Sequence, residues 1–494
     1  MKDNEILHAL EYIDADLIEK AATPQKKKHP QFYWVNAVAA ILVLAIGLSF
    51  FAPDFGPSPG LPTDPTQPPT DPIIRPIGQL CNLLAEPVYP EMAAYPNYDD
   101  YPDWQDYDAA YNAWRDSQSQ QYDQPDRYAN SLRDFFHTSI RQFLQGDGNP
   151  TYSPISVYLA MAMLAETASG NSRQQILDLF GLSTIEQLRT QVYYMWNAHY
   201  CEDGQTSLLL GNSLWLDDAY SFKQATAQLL ASHYYASSFS GDLGTVKMNE
   251  QLQGWLNENT GGLLKEQANN MQLDPNTVFA LASTVHFTAS WNEKFYEKNT
   301  REAIFHSPEG DVQVPFMHKT MQPHGYYWGE NFSAIYLSLT GSNRMWLILP
   351  DEGHTVAEIL ESEEYLQMTR NPSAWKNRKN LKIHLSLPKF DISDQKDLCD
   401  GIKAMGVTDI FDYSISDFTP ITDTPELFVN KIDHTARVAI DEKGCVGAAL
   451  TAILLEPGAA PTDQEINFTL DRPFLLIVSS RDNLPLFAGV VNNP

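Results

Sequence analysis

Cysteine is scarce in this chain. Its four cysteines, Cys81, Cys201, Cys399 and Cys445, are spread over 494 residues without C-x-x-C or C-x-x-C-H spacing, which excludes a disulfide scaffold and a haem or zinc motif. Positive charge is also short: 33 Lys plus Arg against 62 Asp plus Glu leave a net charge of −29. A field of that sign repels phosphate backbones, so nucleic acid is excluded as a partner. There is no G-x-S-x-G, H-E-x-x-H or P-loop motif, and no G-x-G-x-x-G after a strand. An enzyme, a cofactor and a metal centre are therefore not expected. The best raw nucleophile is Cys445, with His434 and Asp441 nearby in sequence, and it reads as an ordinary thiol on a loop.

Long apolar runs are absent except one. WVNAVAAILVLAIGLSFF, residues 34–51, is uncharged, and with Phe32 and Tyr33 it reaches the about 20 residues a helix needs to cross a bilayer. Lys26, Lys27 and Lys28 precede it while Asp54 and Asp64 follow, which predicts a cytoplasmic N-terminus and an exported remainder. The rival, a cleaved signal peptide, lacks an A-x-A site after Phe51. The expected organisation is a cytoplasmic segment at 1–31 with an amphipathic helix over 4–20, a membrane anchor at 32–51, an extracellular linker at 52–127, and a globular domain at 128–494. The linker opens with nine prolines between positions 52 and 76, a stalk with no apolar periodicity. It continues into NYDDYPDWQDYDAAYNAW, where Tyr98, Tyr101, Trp104, Tyr107, Tyr111 and Trp114 recur every three or four residues among aspartates. That stretch reads either as a carbohydrate-binding strip or as an amphipathic segment packing its rings onto the domain; packing is the commoner outcome.

The globular part mixes helical periodicity (SLRDFFHTSIRQFLQ, ISVYLAMAMLAETA, KMNEQLQGWLNENT, KDLCDGIKAMG) with short strand-like runs. The strands are SLLLGNSLWL, NTVFALASTVHF, NRMWLILP, LKIHLSLPKF, ARVAIDE, PFLLIVSS and PLFAGVVNNP. Helices cluster first and strands later, predicting an α+β domain on large antiparallel sheets. In CVGAALTAILLEPGAAPTDQ the alternate residues Cys445, Gly447, Ala449 and Thr451 are small and uncharged, and the other face, Val446, Ala448, Leu450 and Ala452, is equally uncharged. Such a segment can add itself to a sheet as a strand beneath packed helices.

From NPTYSPISVYLAMAMLAETASGNSRQQILDLFG through WLNENTGGLLKE, FTASWNEKFYEKNTREAIFH, LPKFDISDQKDLCDGIKAMGVTDIFD, SDFTPIT and DRPFLLIVSSRDNLPLFAGVVNNP, the globular part resembles the serpin family over its whole length and in the family's order. The resemblance implies three sheets, eight or nine helices and an exposed reactive loop. A target serine protease would attack the loop, form a covalent 1:1 acyl-enzyme, and be trapped as the cleaved loop enters the main sheet. The implied hinge comprises Glu442, Gly444, Cys445, Gly447, Ala448, Ala449 and Thr451. The implied scissile bond lies between Gly458 and Ala459, with Leu455 as alternative. Ser153, Ser156, Ser283 and His434 match the cluster that gates sheet opening, Ser283 standing where the family has Asn and Cys445 where it has Thr. Absence of Lys and Arg from 444 to 471 implies an elastase-like or subtilisin-like target. The protein is expected to be a monomer on a bacterial surface of Gram-positive type. The alternative is a non-inhibitory, serpin-fold surface binding protein.

Overall fold

The computed structural model describes residues 82–122, 124–125, 127–262, 271–445 and 464–494. The expected anchor at 32–51, the helix at 4–20 and the proline stalk lie outside these residues. Among the described residues no helix is long and apolar enough to cross a membrane.

Helices take up the first half of the domain. They are α1 (Trp104–Ser117), α2 (Ser119–Tyr122), α3 (Arg133–Phe143), α4 (Pro154–Thr167), α5 (Gly170–Leu179), α6 (Ile185–His199), α7 (Gln224–Tyr234) and α8 (Val246–Asn259), with the short α9 (Val356–Glu361), α10 (Glu364–Arg370) and α11 (Cys399–Ala404) later. Local chemistry starts them. Ser153 caps α4 by accepting from the Ser156 amide, and Pro154 takes the first turn, where its missing N–H costs nothing. Thr184 and Gln187 close a capping box on α6. The α4 sequence is apolar on every side because the helix is buried on nearly every side.

The main sheet holds β1 (Asn82–Ala85), β3 (Cys201–Glu202), β4 (Thr206–Asp217), β5 (Ala236–Gly241), β6 (Phe279–Ser290), β12 (Phe390–Asp397), β13 (Asp433–Ile440) and β14 (Gly444–Cys445). Their order is β1-β5-β4-β6-β14-β13-β12, with β3 on β4; only β4 and β5 run parallel. The second sheet holds β2 (Thr151–Tyr152), β7 (Arg301–Ser307), β8 (Gly310–Trp328), β9 (Phe332–Ser338), β10 (Arg344–Pro350), β11 (Arg378–Pro388), β15 (Glu465–Thr469), β16 (Phe474–Ser479) and β17 (Pro485–Val491), in the order β15-β11-β8-β9-β10-β16-β17-β2 with β7 on β8. All seven runs read as strands form strands and three of the four read as helices are helical along most of their length; KDLCDGIKAMG is helical only over Cys399–Ala404, its Lys396 and Asp397 ending β12.

Two expectations need correction. The described strands form two hydrogen-bonded sheets rather than three, because the 19-residue β8 pairs first with β7 and β11 and then with β9, joining them into one. The linker, from Asn82 onward, is part of the folded unit: β1 extends the main sheet beyond β5, and the Tyr89 ring stacks on Trp196, Tyr200 and Tyr235 with centroids 5.6, 5.5 and 6.3 Å away. Arg481 donates to the Gln121 carbonyl, and Gln121 Nε2 donates to the Tyr200 carbonyl at 2.5 Å. Eleven described helices exceed the expected eight or nine because α1 and α2 belong to this added stretch.

Every residue of β4 but Ser207 is buried, since both faces are covered. On one face Trp215 packs with Phe239 and the α8 residues Met248, Leu252, Trp255 and Leu256. The other face joins the large core under α4 and α6. Strand β13 alternates instead, burying His434, Ala436, Val438 and Ile440.

Candidate functional site: the loop insertion point and the cluster behind the main sheet

After β13 the chain reverses through Asp441–Gly444. Asp441 Oδ1 accepts from the amides of Lys443 and Gly444 at 2.7 and 3.2 Å, and its own amide donates to the Gly444 carbonyl at 3.1 Å. This short Asx-type turn brings Gly444 and Cys445 back between β13 and β6. Cys445 pairs with Ile440 on one side and Ala289 on the other, and Gly444 pairs with Ser290. Only glycine fits at 444, because an added Cβ would run into the Ala289 carbonyl oxygen.

The continuation of β6 holds the turn. Trp291 donates its amide to the Lys443 carbonyl at 3.0 Å and its indole N–H to the Asp441 carbonyl at 2.8 Å, while the Phe295 amide donates to the Glu442 carbonyl at 3.0 Å. The Glu442 carboxylate accepts from Thr300 Oγ1 at 2.7 Å and from Lys389 Nζ at 2.9 Å. Burial pushes its pKa up, but the hydrogen bonds from Lys389 and Thr300 outweigh that and leave it below the usual range. Trp291, Thr300 and Lys389 escaped the sequence reading. Trp291 and Thr300 sit in the quoted FTASWNEKFYEKNTREAIFH run and Lys389 in LPKFDISDQKDLCDGIKAMGVTDIFD, but no local pattern marks their contacts with the turn.

Among the described residues, β6 has β4 on one side and only Gly444–Cys445 on the other, and β13 has only β12 and Cys445. Behind this seam the start of α4 is tied to both flanking strands. Ser156 Oγ donates to the Ser283 carbonyl on β6 at 3.0 Å, and the Ser153 amide donates to His434 Nε2 on β13 at 3.1 Å. Ser153 Oγ adds a 2.9 Å bond to the Leu486 carbonyl of β17. The four residues expected to gate the sheet are thus brought together. Since His434 Nε2 accepts, the ring is neutral; burial, with a smaller push from the charge of Lys396, lowers its pKa to about 3. Ser283 Oγ has no hydrogen-bond partner among the described residues although it is buried. Asn212, opposite Ser283 in the ladder, donates to the Tyr234 carbonyl at 2.7 Å and was not singled out in the sequence.

Of the expected hinge, Glu442, Gly444 and Cys445 are described. Gly447, Ala448, Ala449, Thr451, Leu455, Gly458 and Ala459 lie outside the described residues. The Cys445–His434 pairing does not form: Cys445 is opposite Ile440, six residues along β13 from His434, about 20 Å at ~3.3 Å per residue. Burial, reinforced by the negative charge of Asp441, pushes the Cys445 thiol up to about 12, which leaves it protonated and unreactive at neutral pH.

A family profile described as "Serpin (serine protease inhibitor)" matches residues 131–494. The chain belongs to the serpin family. Serpin-ZX of Arabidopsis thaliana is 29% identical over 370 residues, covering 70% of this chain and 93% of the plant protein. Native tengpin, a thermophilic serpin, superposes with a TM-score of 0.66 at 23% identity, covering 75% of this chain and 95% of its own. Human thyroxine-binding globulin gives the same score at 23% identity, covering 76% and 99%. Structural likeness at this identity establishes the fold, and it includes a protein named for binding thyroxine. Residues 82–122 of this serpin precede the matched region.

Proposed function

We propose that this serpin is a suicide inhibitor that traps a serine protease of elastase-like or subtilisin-like specificity as a covalent acyl-enzyme. The observation that carries this reading is the seam between β6 and β13, into which the hinge residues Gly444 and Cys445 already fit. An uncharged, proline-free run from Val446 to Leu455 follows them, so continuing along the seam brings no charge under the helices before Glu456. With the bond between Gly458 and Ala459 cleaved, that run becomes the inserting strand. The absence of Lys and Arg from 444 to 471 disfavours trypsin-like enzymes, whose specificity pocket carries an acid. Incubation with pancreatic elastase, subtilisin and trypsin, followed by denaturing gel electrophoresis, tests the reading. A stable complex with elastase or subtilisin and none with trypsin is expected, with mass spectrometry placing the cut within 454–462. Cleavage by all three without a complex would favour a non-inhibitory binding protein.

The same reading places the domain outside the cell on a single-pass anchor at 32–51, since lysines flank only the N-terminal end of that apolar run. Protease shaving of intact cells should release the domain through the proline stalk. Fragments obtained only after lysis would contradict that orientation.

A further inference from the structure

From position 76 to 114 the chain has no Lys or Arg but carries Glu86, Glu91, Asp99, Asp100, Asp103, Asp106 and Asp108. One end of this aromatic stretch is anchored. The Tyr95 amide donates to the Asp203 carbonyl at 2.8 Å, Trp114 Nε1 donates to Asp203 Oδ2 at 3.2 Å, and the two rings meet edge to face with centroids 4.9 Å apart. The other end faces solvent. Trp104 is 63% exposed and Tyr98 53% exposed, and α1 buries no residue. There Tyr98, Trp104 and Tyr107 form a triangle: Tyr98–Trp104 6.2 Å, Trp104–Tyr107 5.4 Å and Tyr98–Tyr107 5.3 Å between centroids, with planes inclined by 45°, 44° and 72°.

We propose that this ring triad binds a quaternary ammonium group of the choline type. Each ring face carries the negative end of a quadrupole, and a cation within about 6 Å of several centroids collects the attraction of each. Asp103 is engaged in capping α1, but Asp99, Asp100 and Asp106 are exposed and make no ion pair among the described residues, so they add a field of the same sign. A trimethylammonium head has no N–H to satisfy and is weakly hydrated, so it loses little in leaving water for ring faces. A glycan stacks its flat faces on rings that lie nearly parallel to it, and planes inclined by 44° to 72° offer no common platform. A lysine ammonium is a compact, strongly hydrated charge, and rings do not replace its hydrogen bonds. A second apolar surface would have to bury the carboxylates.

The test uses the full-length protein and saturation-transfer NMR on the methyl protons of choline chloride, with 3,3-dimethylbutan-1-ol, the neutral carbon isostere, as its counterpart. Saturation transfer to choline that exceeds transfer to the alcohol, and that weakens with added NaCl, is expected. Trp104→Ala should weaken choline binding at least several-fold without changing the melting temperature. A double Asp99→Asn, Asp100→Asn variant should weaken choline while leaving the alcohol signal unchanged. Equal binding of the isostere would reduce the triad to an apolar patch. Transfer to N-acetyl-lysine amide or cellotetraose but not to choline would assign the surface to a lysine or a glycan. Choline binding that survives Trp104→Ala would place it elsewhere. Each of these outcomes overturns the proposal.

Discussion

Two residues of the cluster behind the seam carry opposite lessons about buried polar groups. His434 is satisfied as an acceptor and held neutral, its pKa lowered to about 3 against about 6.5 in an unfolded chain. Between those values the unfolded chain binds the extra proton, so the stability His434 contributes is complete above about pH 6.5 and is lost as pH falls through the window, at about 1.4 kcal/mol per pH unit. His199 and His286 are also lowered by burial and act in the same direction. Comparing urea midpoints of the wild type and His434→Gln at pH 7 and pH 5 isolates the share of His434: the variant should lose less stability on acidification, and identical losses would contradict the assignment. Ser283 is the reverse case, a buried hydroxyl without a partner among the described residues. Removing it relieves a desolvation penalty, so Ser283→Ala should be neutral or stabilising by up to about 1 kcal/mol. A loss of more than that in thermal unfolding would show that the hydroxyl is engaged. Neither outcome was legible in the sequence, which brought His434 and Ser283 into one cluster through family likeness but held no sign of which polar atoms find partners.

At the scale of elements, the legible parts were those whose neighbours impose one period. Strand β13 alternates because one face is buried, α4 is apolar throughout because it is enclosed, and both were read from their patterns. Strand β8 was not: it includes Pro315 and Pro323 and is half-exposed along most of its length, so its pairing depends on β7, β9 and β11 rather than on its own residues. The same holds for β1, a four-residue edge strand of mostly exposed residues that pairs with β5 once Tyr89 is docked nearby. The hinge was found in the sequence as a run of small residues; the turn at Asp441 and its grip by Trp291 come from contacts distant along the chain. Docking through Tyr89 has a measurable share. Three stacked partners and loss of a half-buried ring predict that Tyr89→Ala lowers stability by about 2 kcal/mol. Tyr98→Ala, on an exposed ring, should change stability by less than about 0.5 kcal/mol. Equal effects from both would mean that 82–122 does not dock through Tyr89.

For the whole molecule the question is whether the main sheet is poised to receive the loop. Among the described residues, the β6 and β13 edges, both tied to the start of α4, are bridged only where Gly444 and Cys445 sit. A charge placed at an inserting position should stop entry of the loop. Ala449→Arg would bring an unpaired cation under the helices at a cost of at least several kcal/mol, and is expected to turn the protein from inhibitor into substrate, with cleaved protein accumulating in place of the covalent complex on a denaturing gel. The most direct measurement is the melting temperature of the wild-type protein before and after a single cut in 454–462. Insertion would complete hydrogen-bond ladders on both β6 and β13, and in a domain of this size each kcal/mol moves Tm by about 2 °C or less, so a rise of more than roughly 10 °C is expected on cleavage. An unchanged or lower Tm in the cleaved protein would show that the loop does not enter the sheet and would contradict the inhibitory account.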